Sequence, residues 1–466
     1  MSPHNYYKIR GSALLEEDFY PSSLVTDTET LQKYKEITGS KLKIHSEVQE
    51  IANKTGISTE HIYFTTNQKS RSPYVYYDFP VFFELSDMNE DHITFADISK
   101  SIENQSAMFN ELFNKGEYIH LLRCVHERIR ILALNKLYGS IFDEERYLAF
   151  LEVYMYLDYG LLDIKEWIIE DALSKVPEFM KYETKLKLNA ISTTDEIAIY
   201  RGIGSESTPL DKAISWTVEP AIAAKFAAKF GDIGQLVKAT VKKDHIIDYI
   251  NHRNEHEILI HPKHVYRTEV VEQINPDDEL ELINSHSLLF DYTELFDSMD
   301  LRLYHDIHSV HGLKHSQRVM FNVMSLGLAY ELDETELKIL KLVAMYHDIG
   351  RINDEKDDVH GFKSWEKITG MQLDSEFELE HELFKEDIAL LRSIISYHMF
   401  SDKDMHEIID RLKTYHDKNR AKQLAAIFMD ADALDRIHLG DLDSSYLRLT
   451  ESHKRLVYAA HLKHIV

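Results

Sequence analysis

The chain carries only 16 Gly and 9 Pro in 466 residues, and that scarcity constrains its fold more than any other feature. Gly and Pro interrupt helices most strongly, so long stretches without them leave helix as the default. Collagen-like and linker-dominated chains are excluded on the same ground. With 44% apolar and 28% charged residues, the chain has the balance of a protein that builds real cores, and its length implies two to four domains.

The texture changes along the chain. Residues 1–105 read as a mixed α/β lobe of unknown role. Ile62–Thr66 and Tyr74–Leu85 are rich in aromatic and β-branched residues, as strands are, and Ser46 with Gln49 is spaced as the capping box of a helix to Thr55. Residues 106–188 form a helical lobe, with apolar periodicity over Tyr118–Tyr138 and Tyr147–Ile169. Residues 189–282 contain short strands at Glu196–Tyr200, Gln235–Val241 and Glu257–His261. Residues 283–466 are helical again and dense in His and Asp. The class expected is α+β, multidomain.

The net charge is −26. Phosphate-backbone binding rests on Lys and Arg, so wrapping of nucleic acid through bulk charge is not expected. The single cysteine, Cys124, excludes a disulfide framework and a Cys-built zinc site. The first residues lack the parts of a signal peptide, and no run approaches the roughly 18–20 apolar residues that span a bilayer. The expectation is a soluble, cytoplasmic protein without a membrane span, or one exported into a host cell by machinery that reads other signals.

Three features stand in order in the middle segment: Arg201 in IAIYRGIG, Ser215-Trp216-Thr217 opening SWTVEPAIAAKFAAKF, and Glu255-His256-Glu257 at the start of EHEILIHP. Singly each is ordinary: a surface charge, a helix cap at Thr217 for Pro220–Phe230, and the solvent face of a strand. Together they resemble the Arg–Ser–Glu class of mono-ADP-ribosyltransferases with an ExE motif, over about residues 190–270. The resemblance implies NAD as cofactor, held by Arg201, Gly202, Ser215, Trp216 and Glu257. It implies that Arg201 pairs with the phosphates, Ser215 holds Glu257, and Thr217 and Trp216 shape the nicotinamide pocket. Glu257 would stabilise the oxocarbenium-like state at the ribose. Glu255, two residues earlier and so on the same face of an extended strand, would act on the acceptor, a protein side chain and by this resemblance an arginine.

The C-terminal segment carries a second constellation. His315 lies in HGLKHSQRV, His347-Asp348 in AMYHDIGR and Asp432 in FMDADALDRI. Asp333 with Glu336 begins a helix on which Leu337, Leu340, Ala344 and His347 share a buried stripe. Leu391, Ile394, Ile395 and His398 repeat that arrangement, and Leu424, Phe428, Ala431 and Asp435 share a face with Asp432 at its edge. Asp430 points away from that face, so Asp432 is the preferred ligand. Inward His and Asp on several helices suit a divalent metal, because buried unpaired carboxylates are costly.

The H…HD…D pattern resembles HD-domain metal-dependent phosphohydrolases, over about residues 295–466. The resemblance implies a phosphoester or nucleotide substrate and Mn, Fe, Co, Zn or Mg bound by His315, His347, Asp348 and Asp432, with Asp348 also orienting the attacking water. His360 and His398 match positions where related enzymes place extra histidines, for a second metal or for the phosphate. Arg351 and Lys314 are phosphate contacts or solvated charges, and His305, His308 and His311 line the entrance. The combined expectation is a bifunctional enzyme of effector or toxin type. The alternatives are an HD hydrolase with a nucleotide-sensing, non-catalytic transferase-like segment, and a binding protein with a structural metal.

Overall fold

A computed structural model describes residues 19–21, 44–65, 74–85, 95–156, 164–205, 207–229, 231, 233–413 and 417–466. They divide into two compact units between Lys185 and Leu186. Among the described residues no helix is long and apolar enough to cross a membrane.

In the first unit β1 (Phe19–Pro21), β2 (Ile62–Thr65), β3 (Tyr74–Asp78) and β4 (Val81–Glu84) form an antiparallel sheet in sequence order. The aromatic run expected over Tyr74–Leu85 is therefore a hairpin, and Thr66 lies outside the described residues. Helices α1 (Ile44–Thr55) and α2 (Phe95–Lys115) pack with it, burying Val48, Ile51, Ile62, Tyr76, Val81 and Ile98 in one cluster. Because α1 starts at Ile44, Ser46 is inside the helix rather than at its cap.

The long periodic runs are broken. Helix α3 (Tyr118–Cys124) ends at an extended Val125, and α4 (Glu127–Leu137) starts where the His126 ring accepts the Arg128 amide. The run to Ile169 becomes α5 (Arg146–Tyr154) and α6 (Glu166–Ser174), with residues 157–163 outside the described set. Helix α7 (Glu178–Ile191) contains the division between units.

The second unit opens with six antiparallel strands: β5 (Glu196–Ile203), β6 (Ser215–Thr217), β7 (Gln235–Lys242), β8 (Ile246–Ile250), β9 (Glu257–Ile260) and β10 (Tyr266–Val270). Their order is β10-β7-β5-β6-β9-β8. Ile197, Ile199, Trp216, Val237, Ala239, Val241, Ile258 and Ile260 form a cluster from alternate strand positions. Between β6 and β7 runs α8 (Pro220–Ala227), a short and nearly all-apolar helix packed on β5. It ends before the expected Phe230, which lies outside the described residues. Thr217 accepts the Glu219 amide at 3.1 Å ahead of this helix, since Pro220 at its first position has no amide to donate.

Among the described residues eleven α-helices follow: α9 (Pro276–Ser285), α10 (Leu288–Ser298), α11 (Leu313–Ala329), α12 (Glu334–Tyr346), α13 (His360–Gly370), α14 (Leu373–Glu380), α15 (Lys385–Tyr397), α16 (Asp402–Arg411), α17 (Lys418–Asp435), α18 (Thr450–His453) and α19 (Leu456–His461). The capping box read from the sequence is present at α12: Asp333 accepts the Glu336 amide at 2.9 Å, and Glu336 accepts the Asp333 amide at 3.0 Å. Val319, Val323, Leu340, Val343, Ile394, Leu424 and Phe428 from α11, α12, α15 and α17 form the central core. Ala223, Ala224 and Ala227 of α8 and Leu236 of β7 belong to that same core, so the sheet segment and the C-terminal helices fold on shared apolar surface.

The closest approach between layers is at Gly202, where an added Cβ would lie 1.9 Å from the Ala223 carbonyl oxygen and 2.4 Å from the Ala227 nitrogen. Both are backbone atoms and cannot rotate away. Gly202→Ala is expected to destabilise the second unit by at least about 1–3 kcal/mol, read as a lower thermal midpoint; an unchanged midpoint would show that α8 does not sit on β5 this way.

Candidate metal centre and a sheet-borne cluster

Five helices bring side chains to one buried point. His315 is in the first turn of α11, His347-Asp348 follows α12, and Asp432 lies near the end of α17. The His315 and His347 Nε2 atoms are 3.0 Å apart. Asp348 Oδ2 is 3.6 and 3.7 Å from them, and Asp432 Oδ1 is 3.3 and 3.7 Å from them. His347 is fully buried, and Asp348 nearly so. His360, opening α13, and His398, just after α15, approach the other Asp348 oxygen, Oδ1, at 3.0 and 3.9 Å.

The second ring nitrogens decide the tautomers. His347 Nδ1 lies 3.0 Å from the Ala344 carbonyl oxygen, His398 Nδ1 lies 2.8 Å from that of Ile395, and His360 Nδ1 contacts that of Asp357. His315 Nδ1 lies 2.7 Å from Asp435 Oδ2. Carbonyl and carboxylate oxygens only accept, so each Nδ1 carries the hydrogen and donates it. Four Nε2 lone pairs are thereby turned inward, and they meet in two pairs, His315 with His347 at 3.0 Å and His360 with His398 at 2.9 Å. Between the pairs is a carboxylate whose Oδ1 is buried without a hydrogen-bond partner of acceptable geometry.

Such a concentration of electron pairs away from water is costly unless a proton or a cation joins it. Donors sharing one ion at about 2.1 Å lie roughly 3.0–3.4 Å apart in octahedral or tetrahedral arrangements; the separations here run from 2.9 to 3.9 Å, those from Asp348 to His315, His347 and His398 being the wider ones. The residues present therefore fit a divalent ion at His315, His347, Asp348 and Asp432. They also fit a second at His360, His398 and the other Asp348 oxygen. Groups of His and Asp donors from both sets are close enough to share an ion.

Protonation follows the same geometry. Burial alone would lower the His315 pKa, but hydrogen bonds to Asp432 and Asp435 raise it to about 10. Without metal, a proton on His315 thus does what a cation would do. Burial, with the neighbouring His347, pushes His398 down to about 3. Burial works to raise Asp348, yet the surrounding His347, His311, His360 and His315 hold its carboxyl well below the usual range.

The backbone turn bearing these groups is tied down from α13. Ser364 Oγ donates to the His347 carbonyl at 2.6 Å and accepts the Gly350 amide at 2.8 Å, while Lys367 donates to the Ile349 carbonyl at 2.6 Å. Arg351 reaches the site, its Nε 3.0 Å from Asp348 Oδ2. Lys314 does not. One residue before His315 on a helix it is turned about 100° away, and its ammonium donates to the Val466 carbonyl at 3.0 Å. His305 and His308 are exposed. His311, expected only at the entrance, brings Nδ1 to 2.9 Å from Asp348 Oδ2; its position four residues before His315 was the available signal. Asp430 is buried but accepts the Arg448 and Leu449 amides and the Ser452 hydroxyl, an anchor for the loop ahead of α18.

The sheet gathers the middle motif in part. β6 lies between β5 and β9, so Tyr200 faces Thr217 and Thr217 faces Glu257. Ser215 donates its hydroxyl to Glu257, and Arg201 donates to the Ser215 carbonyl and, at 3.4 Å, to that of Thr208. Thr217 donates to the Glu255 carbonyl at 2.7 Å. Three expectations need correction. Trp216, alternating with Ser215 and Thr217, is buried in the sheet's apolar cluster rather than beside them. Gly202 packs on α8 instead of facing a ligand. Glu255 and Glu257 are not successive same-face positions, because β9 begins at Glu257 and His256 between them has a φ of 46°.

Residues 312–437 match the family model described as HD domain. The match begins at Gly312, immediately before α11, and contains His315, His347, Asp348, His360, His398 and Asp432. It covers just over a quarter of the chain, leaves residues 189–282 uncovered, and supports a metal-dependent phosphohydrolase. No curated protein and no solved structure matches the chain.

Two aspartates two residues apart should behave oppositely. Asp430→Ala leaves buried donors of Arg448, Leu449 and Ser452 without an acceptor and should destabilise the fold by about 3 kcal/mol or more, while the Mn²⁺-induced rise in melting temperature survives. Asp432→Ala removes one partner of the His315 proton, so without metal it should melt somewhat below wild type, and it should lose most of that rise. The reverse pattern would reassign the ligand.

Proposed function

We propose that the protein is a divalent-metal-dependent phosphohydrolase acting on a phosphoester or nucleotide, and that the same chain transfers ADP-ribose from NAD to a protein acceptor, with arginine as the modified side chain. The observation that carries the first activity is the convergence of two imidazole lone-pair pairs on Asp348 within the HD-domain match. A divalent ion held there supplies Lewis acidity toward a phosphoryl oxygen and toward water. His315, His347, Asp348 and Asp432 bind it, and His360 and His398 complete a second seat across Asp348. Their imidazole-rich set suits Mn, Fe, Co or Zn, with Mg as the harder alternative.

The remaining groups work around that centre. Phe428 packs edge-on against the His347 and His398 rings at 5.3 and 5.9 Å and keeps bulk water from their rear. Arg351 brings a planar donor fork beside Asp348, suited to a phosphoryl group. His311, partly exposed and beside Asp348, is in position to hold a proton and give it to the departing oxygen.

One specific observation favours the transferase reading: Ser215 donates to Glu257 across β6 and β9 while Arg201 holds the Ser215 carbonyl. In this reading Glu257, steadied by Ser215, stabilises positive charge developing at the ribose. Thr217 fixes the Glu255 backbone, and the Glu255 carboxylate addresses the acceptor. The acidic chain, at −26, suits a cationic target. The two activities form one sequence if the metal centre hydrolyses the pyrophosphate of ADP-ribose. A regulatory, non-catalytic sheet segment is the competing account.

Both are tested with purified full-length chain. With Mn²⁺ and a panel of phosphoesters and nucleotides, wild type and Glu257→Gln should hydrolyse the same substrate, and His347→Ala should fall by at least about 100-fold; no hydrolysis by wild type would refute the phosphohydrolase. With labelled NAD and a cell lysate, wild type should label a discrete protein band and Glu257→Gln should not. Labelling by neither leaves the regulatory account.

A further inference from the structure

Asp435 has no counterpart among the expected ligands, yet it is as buried as Asp348, both at 4% exposure. Its Oδ2 accepts the His315 Nδ1 hydrogen at 2.7 Å. Arg318, three residues after His315 on the same face of α11, donates to it twice, from Nε at 2.6 Å and from the terminal nitrogen at 3.0 Å. Asp432, three residues before Asp435 on α17, approaches the other side of the same ring, its Oδ1 3.3 Å from His315 Nε2. One helix therefore grips the His315 imidazole at both nitrogens, with a guanidinium fixing the outer carboxylate.

We infer that Asp435, oriented by Arg318, is a positioning residue of the metal centre: it holds the Nδ1–H tautomer and the ring plane of His315 so that Nε2 is presented to the cation. The inference rests on the metal-centre reading. Of the four inward histidines, His315 is the one whose Nδ1 donates to a side chain, whereas His347, His360 and His398 donate to backbone carbonyls of the preceding turn. For those three the local chain sets the tautomer. For His315 the choice depends on a carboxylate from another helix, and on Arg318 to keep that carboxylate ionised and in one orientation. A positioning carboxylate behind a ligating imidazole also strengthens the donor nitrogen, and its loss weakens metal binding by about 10- to 100-fold in metal sites generally.

The test is Asp435→Asn in the full chain, with Mn²⁺ as the probe. The amide keeps the size of the carboxylate and removes its charge, and its NH₂ can donate to Nδ1 and so favour the wrong tautomer. The Mn²⁺ Kd by chelator competition should weaken by at least about tenfold, with circular dichroism like wild type. Imidazole ¹⁵N shifts of the chain loaded with diamagnetic Zn²⁺ should show His315 as the Nδ1–H tautomer in wild type and a mixture in Asp435→Asn. Should Asp435→Asn fail to fold, Arg318→Lys, which retains the charge balance but not the two-pronged grip, should weaken Mn²⁺ binding in the same direction by less. A role confined to tying α11 to α17 predicts a lower melting temperature with a Kd and tautomer unchanged in either folded variant, and that result overturns the inference alone. A wild-type chain that binds no Mn²⁺ overturns the metal centre together with it.

Discussion

The C-terminal part of the second unit is organised by an electrostatic problem at Asp348. A nearly buried carboxylate lies among four imidazoles whose Nδ1 hydrogens are committed elsewhere, so their lone pairs turn inward. The sequence supplies the parts on separate helices, and the apolar stripes of α11, α12, α15 and α17 bring those parts together by burying against one another. The cluster has two ways to be satisfied. Without metal a proton resides on His315, whose pKa Asp432 and Asp435 lift to about 10 against the effect of burial. In the proposed metal-bound form a cation would take that place, with Asp432 as its ligand and Asp435 as the support of His315.

The same unit mounts the sheet-borne cluster on the core that carries the metal centre. Helix α8 follows Ser215-Trp216-Thr217 after two residues, lies against β5 beside Arg201, and contributes four alanines to the helical core. Its end is held by His464, whose ring contacts the Ala228 carbonyl at 2.9 Å. Small side chains are required there because strand and helix backbones approach too closely for a Cβ at Gly202 or Gly234. The two candidate chemistries therefore share one packed body, and the apolar surface of α8 is explained by packing without reference to a ligand.

Much of the metal centre was legible because helical phase carries information. His347 and His398 fall on stripes with leucines and isoleucines three and four residues away, and the phase separated Asp432 from Asp430 correctly as to the direction each faces. What phase cannot reveal is who stands opposite. Asp435 was seen as a member of a buried face, but its partnership with His315 and Arg318 spans well over a hundred positions and exists only after α11 meets α17. Of the two readings open for Lys314, the solvated charge fits its exposed position, because adjacency to His315 in sequence is a turn of about 100° in a helix. In the sheet segment, strand alternation would have sent Trp216 to the face opposite Ser215, and the expected pairing of Glu255 with Glu257 failed at a single residue, His256, whose backbone leaves the extended region. The break after Cys124 was hidden for another reason: Val125-His126 carries no Gly or Pro, the residues that usually mark a helix end.

The most direct measurement is calorimetric titration of the metal-free chain with Mn²⁺ in buffers of differing ionisation enthalpy, across neutral to alkaline pH. The account predicts binding that releases a proton, because the one held on His315 must leave before Nε2 can serve as a donor. Affinity should accordingly rise with pH throughout the range below about 10, and His347→Ala should abolish the tight phase. Binding that releases no proton and does not change with pH, or a chain that takes up no ion at all, would contradict the claim that the lone pairs around Asp348 exist to hold a cation.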